Sequence, residues 1–406
     1  MPTDEHRQGA AGQALHKITV TNLLSFGPEG VPLELRPLNV FIGPNGSGKS
    51  NLLEAIALLR ATPVPYAPNS TGDLLDVIRK GGGITEWVWK GSPDAPASVD
   101  AVVANPKGKQ PLRHVLRLRA EGQLLRLDDE RIENENPYDG RHDAYFYYRF
   151  QHGDPVVNVR EVERKLSRET VDASQSILSQ RRDPEAYPEI TYLAKTYERI
   201  RIYRDWAFGR SSVFRMPQPA DTRGEVLEED FANLGLFLNY LRSNPEAKRS
   251  VLSGLRDLYE GLDDFDVRVK GGTVQVFLTE GEFTIPGNRL SDGTMRYLCL
   301  LGVLCDPEPP PLVCIEEPEL GLHPDLLPRL ADLLAEASKR TQLIVTTHSD
   351  ILVDAMTERP ESVVVFEKHE GRTEARRLDG GQLAAWLENY RLGQLWTRGQ
   401  LGGTRW

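Results

Sequence analysis

Cysteine is scarce in this chain of 406 residues: there are three, Cys299, Cys305 and Cys314. All three lie in apolar stretches and none forms a C-x-x-C pair, which excludes a zinc ribbon or a disulfide framework and leaves small core residues of a reducing compartment. Long apolar runs are also missing. The longest, Tyr297 to Cys305, is far too short to span a bilayer, and Met1 to Gly12 is polar and mixed in charge, with no signal-peptide h-region. A cytoplasmic protein with no membrane segment is expected. Basic charge is in deficit, with 49 Lys and Arg against 59 Asp and Glu and a net charge of −10, so the surface as a whole does not attract polyanions and any nucleic-acid contact must be regional. There is no internal repeat and no sustained heptad pattern, which excludes a solenoid and a long coiled-coil arm. What remains, 39% hydrophobic and 27% charged residues, is the composition of a globular chain with two or three domain-sized units.

Against this background Gly43-Pro44-Asn45-Gly46-Ser47-Gly48-Lys49-Ser50 is a complete G-x-x-x-x-G-K-[ST] loop. Leu38 to Ile42 ahead of it reads as a buried strand and Asn51 to Arg60 behind it as a helix, the order in which such a loop works. Backbone N–H groups of the loop converge on phosphates and the helix N-terminus adds partial positive charge. Lys49 reaches the β- and γ-phosphates, and the Ser50 hydroxyl ligates Mg²⁺. Asn45, Gly46, Ser47, Gly48, Lys49, Ser50 and Asn51 thus form the expected ATP-binding set.

A second group of motifs lies far along the chain. Leu312 to Ile315 is an apolar strand ending in Glu316-Glu317, which puts two carboxylates at the strand end where open α/β sheets bind ligands. Glu316 is expected to help hold Mg²⁺ and Glu317 to orient the attacking water; the alternative for Glu-Glu-Pro-Glu alone is a solvated acidic turn. Leu290-Ser291-Asp292-Gly293-Thr294 opens a predicted helix, so Ser291 and Gly293 offer an anion site. Leu343 to Thr347 is a further buried strand ending in His348-Ser349, which brings an imidazole to the same sheet edge.

Along the chain, Ile18 to Val20 and Pro32 to Leu35 read as short strands. Pieces within Trp87 to Val159, such as Ser98 to Val103, Val115 to Arg119 and Tyr145 to Phe150, read as an antiparallel β region. From Ala173 to Glu260 the texture is helical, with Leu227, Phe231, Leu234, Leu238 and Leu241 at helix-face spacing and a second helix over Glu246 to Glu260. A hairpin follows, Phe265 to Val269 and Thr273 to Phe277. The expected fold is α/β, with a mainly parallel central sheet, an antiparallel β lobe and an inserted helical subdomain. Its divisions are 1–172, with the phosphate loop and β lobe; 173–284, the insertion; and 285–406, with the remaining motifs and an aromatic tail.

These motifs together resemble the ATP-binding-cassette ATPases that are not transporters, among them the structural-maintenance-of-chromosomes (SMC), RecF-like and OLD-type proteins. Ile18 to Phe26 looks like the family's opening strand and turn, Gly43 to Ser50 its Walker A, Leu290 to Thr294 its signature motif, Ile315 to Glu319 with Leu322-His323-Pro324 its Walker B and following loop, and Thr347-His348-Ser349 its switch histidine. The resemblance implies a P-loop ATPase in which Lys49, Glu317 and His348 are catalytic. It also implies a homodimer, because the signature serine and glycine of this family act on ATP held by the other subunit. The Walker B aspartate is replaced by Glu316, as in the OLD-type and RecF-like branch, and no glutamine takes the Q-loop position. The segment after His348 has no acidic D-x-D cluster, so a Toprim nuclease is not expected.

The resemblance places the chain in DNA repair or anti-phage defence as a nucleotide-driven switch; the alternative is a slow-turnover regulatory module that controls a separate effector protein, and a transporter subunit fits less well. Two runs are candidates for DNA or RNA contact. Arg199, Arg201, Arg204, Arg210 and Arg215 interleave with Tyr197, Tyr203, Trp206, Phe208 and Phe214, a mix that contacts phosphates and stacks bases unless the arginines pair with acidic neighbours. Lys107, Lys109, Arg113, Arg117 and Arg119 either form a second patch or decorate a solvated strand face. Trp386, Tyr390, Leu392, Leu395 and Trp396 read as an apolar lid on the core or on a partner.

Overall fold

The computed structural model describes residues 13–67, 71–151, 154–159, 162–165, 171–172, 174–207, 209–258 and 261–403. Three strands precede or lead into the phosphate loop: β1 (Leu15–Thr21), β2 (Val31–Glu34) and β3 (Leu38–Ile42). Six more follow, β4 (Ala97–Val103), β5 (Leu112–Glu121), β6 (Leu124–Asn134), β7 (Phe146–Gln151), β8 (Asp154–Val159) and β9 (Val162–Lys165). With β1 and β2 they form an eight-stranded sheet ordered β2-β1-β4-β5-β6-β7-β8-β9, antiparallel at every pairing. This is the expected β lobe.

Next come β10 (Arg201–Tyr203), β11 (Gln218–Pro219), β12 (Leu262–Lys270), β13 (Thr273–Glu280) and β14 (Phe283–Pro286); β11 to β14 make a small antiparallel sheet that contains the expected hairpin. The last strands are β15 (Leu312–Glu316), β16 (Gln342–Thr346), β17 (Val363–His369) and β18 (Arg372–Arg377). They join β10 and β3 in a six-stranded sheet ordered β10-β15-β16-β3-β17-β18. Every pairing in it is parallel except β17 with β18.

Continuous apolar runs in β3, β15 and β16 reflect burial on both faces of that sheet. Val40, Ile42, Val313, Ile315, Leu343 and Val345 face one core, whereas Phe41, Leu312, Cys314 and Ile344 face the other, under the β lobe. Cys299, Cys305 and Cys314 are all buried free thiols, and burial pushes the Cys305 thiol up to about 12. Gln342 ties sheet to lobe: its amide accepts from Leu15 N at 2.8 Å and donates to Leu15 O at 2.7 Å and Arg36 O at 3.2 Å.

Two details depart from the periodicity. The helix expected to include Leu227 and Phe231 spans only Leu234–Ser243, and Phe231 has φ 61°. Asn233 holds the preceding chain as a loop, accepting from Glu228 N at 3.0 Å and donating to Val226 O at 2.7 Å, side-chain bonds that compete with a helix. Within the stretch expected to be an inserted helical unit, β10 pairs with β15 and so belongs to the central sheet. The second expected helix forms over Pro245–Leu258.

Candidate active site

β3 delivers the chain to Gly43, whose φ of 145° turns it so closely past β17 that a Cβ would overlap the Phe366 carbonyl oxygen. Gly46 (φ 78°) and Gly48 (φ 107°) complete the loop in backbone conformations that favour glycine. Helix Lys49–Ala61 then starts with Gly48 as its N-cap and no side-chain cap, so its first N–H groups stay available. Asn45, Gly46 and Ser50 are exposed while Ser47, Gly48 and Lys49 are buried.

The loop is braced from outside. Thr373 on β18 donates to Ser47 O at 2.8 Å and shares a 2.6 Å hydrogen bond with Ser25, whose hydroxyl accepts from Asn51 Nδ2 at 2.7 Å. Thr373 carried no sequence signal, and Asn51 appears here as a brace for the loop. The Ser47 hydroxyl is buried with no hydrogen-bond partner among the described residues, a donor left over inside the loop. Lys49 Nζ donates to Gly43 O at 2.7 Å and Pro44 O at 3.1 Å. Burial depresses its pKa to about 8, against the opposing pull of Glu317, Glu316 and Glu319.

β15 lies two strands from β3 and ends on Glu316, whose carboxylate accepts from the Ser50 hydroxyl. Glu317 follows in a left-handed conformation, φ 47°, rare for a residue with a Cβ. Its N–H donates to Thr346 O at 3.0 Å, and this turn aims the side chain at His348, with Nε2 3.5 Å from Glu317 Oε1. Burial and the Lys49 charge lower the His348 pKa, against Glu317, so the imidazole is neutral at pH 7. Glu319 positions that histidine. One of its oxygens accepts from His348 N and from the Thr347 hydroxyl, each at 2.8 Å, the other is buried without a partner among the described residues, and burial raises its pKa.

Lys49, Ser50, Glu316, Glu317 and His348, distant in sequence, are thus assembled at one sheet edge. Ser291 and Gly293 are not joined to them. Ser291 caps helix Asp292–Leu304, its hydroxyl accepting from Thr294 N at 3.1 Å; it is exposed, and none of its hydrogen bonds among the described residues reaches the phosphate loop.

The donor set fits Mg²⁺: a hydroxyl and a carboxylate, both hard oxygen ligands, at an accessible point beside a phosphate loop. Among the described residues no three His, Cys, Asp or Glu cluster to hold a metal by themselves, so phosphate oxygens and water would complete the shell.

A family model described as "AAA domain, putative AbiEii toxin, Type IV TA system" matches residues 38–354, from β3 past His348. The chain belongs to this family. Solved structures show the same fold for this AAA domain. An SMC head bound to the C-terminal winged-helix domain of ScpA aligns at TM-score 0.53 and 16% identity, covering 91% of this chain and 99% of that one. The Pyrococcus furiosus Smc head with an extended coiled coil, bound to the C-terminal domain of ScpA, aligns at 0.54 and 15%, covering 92% and 98%. A Pyrococcus yayanosii Smc head with a coiled coil and joint aligns at 0.50 and 13%, covering 92% and 99%. No curated protein sequence matches the chain. The AAA domain therefore has the fold of an SMC head, and none of its described helices is long and apolar enough to cross a membrane.

The first basic run of this AAA domain is largely engaged in structure. Arg204 pairs with Glu54 and Arg215 with Asp292, each at 2.5 Å, and Tyr197, Tyr203 and Phe214 are buried; Phe208 lies outside the described residues. In the second run Arg113 bonds Asp100 at 2.6 Å and Arg119 bonds Asp128 at 3.0 Å, while Lys107 and Lys109 precede β5. Leu392, Leu395 and Trp396 dock into the core while Trp386 stays 47% exposed.

Proposed function

We propose that this protein hydrolyses ATP and works as a nucleotide-dependent switch of two copies. The observation that supports this reading most directly is the Ser50 hydroxyl on the Glu316 carboxylate, with Lys49, Glu317 and His348 around it. The loop amides and Lys49 bind the phosphates. Ser50 and Glu316 would hold Mg²⁺, which would supply positive charge against the phosphates. Glu317 accepts a hydrogen bond from water and takes its proton as the water oxygen bonds the γ-phosphorus and the bond from that phosphorus to the leaving oxygen of ADP breaks. Neutral His348 then donates to the developing phosphate. Ser291 and Gly293 cap the γ-phosphate of the partner's site.

The setting is DNA maintenance or anti-phage defence, a reading that rests on the resemblance of the motifs to SMC-, RecF- and OLD-type ATPases. Phosphate release by wild type and Glu317→Gln tests this reading. The variant should turn over about 100-fold more slowly or worse, retain ATP, and double its mass in light scattering with ATP and Mg²⁺. Turnover of Glu317→Gln at the wild-type rate would refute the assignment. Stimulation of wild-type turnover by DNA favours the motor-like role, whereas tight ATP retention without it favours regulation of a separate effector.

A further inference from the structure

The segment after β10 carries a contact that the motifs do not require. Trp206 Nε1 donates to the carbonyl oxygen of Glu316 at 2.8 Å, and Arg296, one turn inside helix Asp292–Leu304, donates to the carbonyl oxygen of Glu317 at 2.9 Å. The two side chains are stacked, the guanidinium carbon lying 4.4 Å from the Trp206 ring centroid. Phe231 stacks on Trp206 and on Tyr203, at 5.2 Å in both cases, which packs the indole, through Phe231, against the Tyr203 side chain of β10. A second tie joins the same segment to the same helix: Asp292 Oδ1 accepts from Arg215 Nη2 at 2.5 Å and from Gly209 N at 3.3 Å.

We propose that Trp206 and Arg296 are positioning residues that fix the backbone of Glu316 and Glu317 and couple it to the helix opened by Ser291. The proposal rests on the ATPase reading above. Glu317 sits in a left-handed conformation, which costs energy unless its neighbours hold it, and the carbonyl oxygens of Glu316 and Glu317 are gripped by one stacked pair. The helix that would meet a partner's phosphate therefore sets, through Arg296, where the chain's own Glu317 points. Placement matters because a shift of about 1 Å at a reacting group can cost about 100-fold in rate.

Two conservative variants test the device. Trp206→Phe keeps a stacking ring but removes the N–H donor; Arg296→Lys keeps the charge but loses the planar guanidinium. Each should lower kcat about tenfold or more with the KM for ATP and binding of a fluorescent ATP analogue unchanged. The double variant should fall no further than the worse single one, since both act on one grip. Wild-type kcat in folded Trp206→Phe would overturn the proposal, as would losses that multiply in the double variant, or a loss confined to KM. Failure of the underlying reading looks different: the wild-type protein itself would release no phosphate.

Discussion

Lys49 keeps its ammonium where water has largely been removed, 6% exposed and bonded to two loop carbonyls. Its folded pKa of about 8 lies below the ordinary 10.5 because burial outweighs the three nearby glutamates. Between pH 8 and 10.5 the unfolded chain therefore holds more protons than the folded one, and this group's contribution to stability rises with pH. Relative to Lys49→Met, wild type should gain on the order of 2–3 kcal/mol in urea unfolding from pH 7 to 10.5; a difference independent of pH would show the lysine to be normally hydrated. The same shift governs the ligand. Phosphate binding favours the charged lysine, so this group adds no pH dependence to affinity below pH 8, and above it binding must take up a proton. The Kd of a fluorescent ATP analogue should weaken by up to about tenfold per pH unit above 8, and Lys49→Ala should bind it poorly at every pH.

At the scale of elements, the phosphate loop depends on β3 and β17 approaching closely at Gly43. Gly43→Ala would drive a Cβ into the Phe366 carbonyl, so β3 and β17 must separate, at a cost of about 3 kcal/mol or more. Gly46→Ala, also at positive φ but facing open space, should cost only about 1 kcal/mol; equal urea midpoints for the two variants would show that contact with β17 does not matter. This contrast also shows where sequence reasoning succeeds. β3, β15 and β16 were legible because burial on both faces demands unbroken apolar runs, and the loop was legible because phosphate chemistry demands contiguous residues. β10 was not: three residues, Arg-Ile-Tyr, inside an arginine-rich stretch carry too little pattern. Phe231 misled because its spacing fits a helix face while Asn233 bonds keep it in a turn. Arg296 and Thr373 were invisible as site residues, and Trp206 was legible only as a candidate base-stacking ring, because their value here lies in contacts made across the fold, Thr373 to Ser47 among them, which no local spacing encodes.

For the whole molecule, the open question is whose ATP Ser291 serves. Both faces of the central sheet are already covered within one chain, and the edge carrying Ser50, Glu317 and His348 is open, while Ser291 stands exposed without a bond to its own phosphate loop. A helix N-terminus favours anions, and Ser291 caps only the Thr294 amide of this one, so a second copy placed head to tail would bring it to the γ-phosphate. Neither Lys49→Ala nor Ser291→Arg should hydrolyse ATP alone, the first lacking the phosphate cation and the second closing the helix end with a bulky charge. Mixed, they form a heterodimer in which one composite site has both defects and the other has intact Lys49 from one chain and intact Ser291 from its partner. Phosphate release should then return to at most half the wild-type rate per dimer if the sites act independently. Heterodimers verified by differential tags that release no phosphate would mean that Ser291 acts within its own chain or that both sites must fire together. These two cases separate in a tandem-linked dimer with a single Lys49→Ala substitution: independent sites retain about half the activity, and strictly coupled sites retain none.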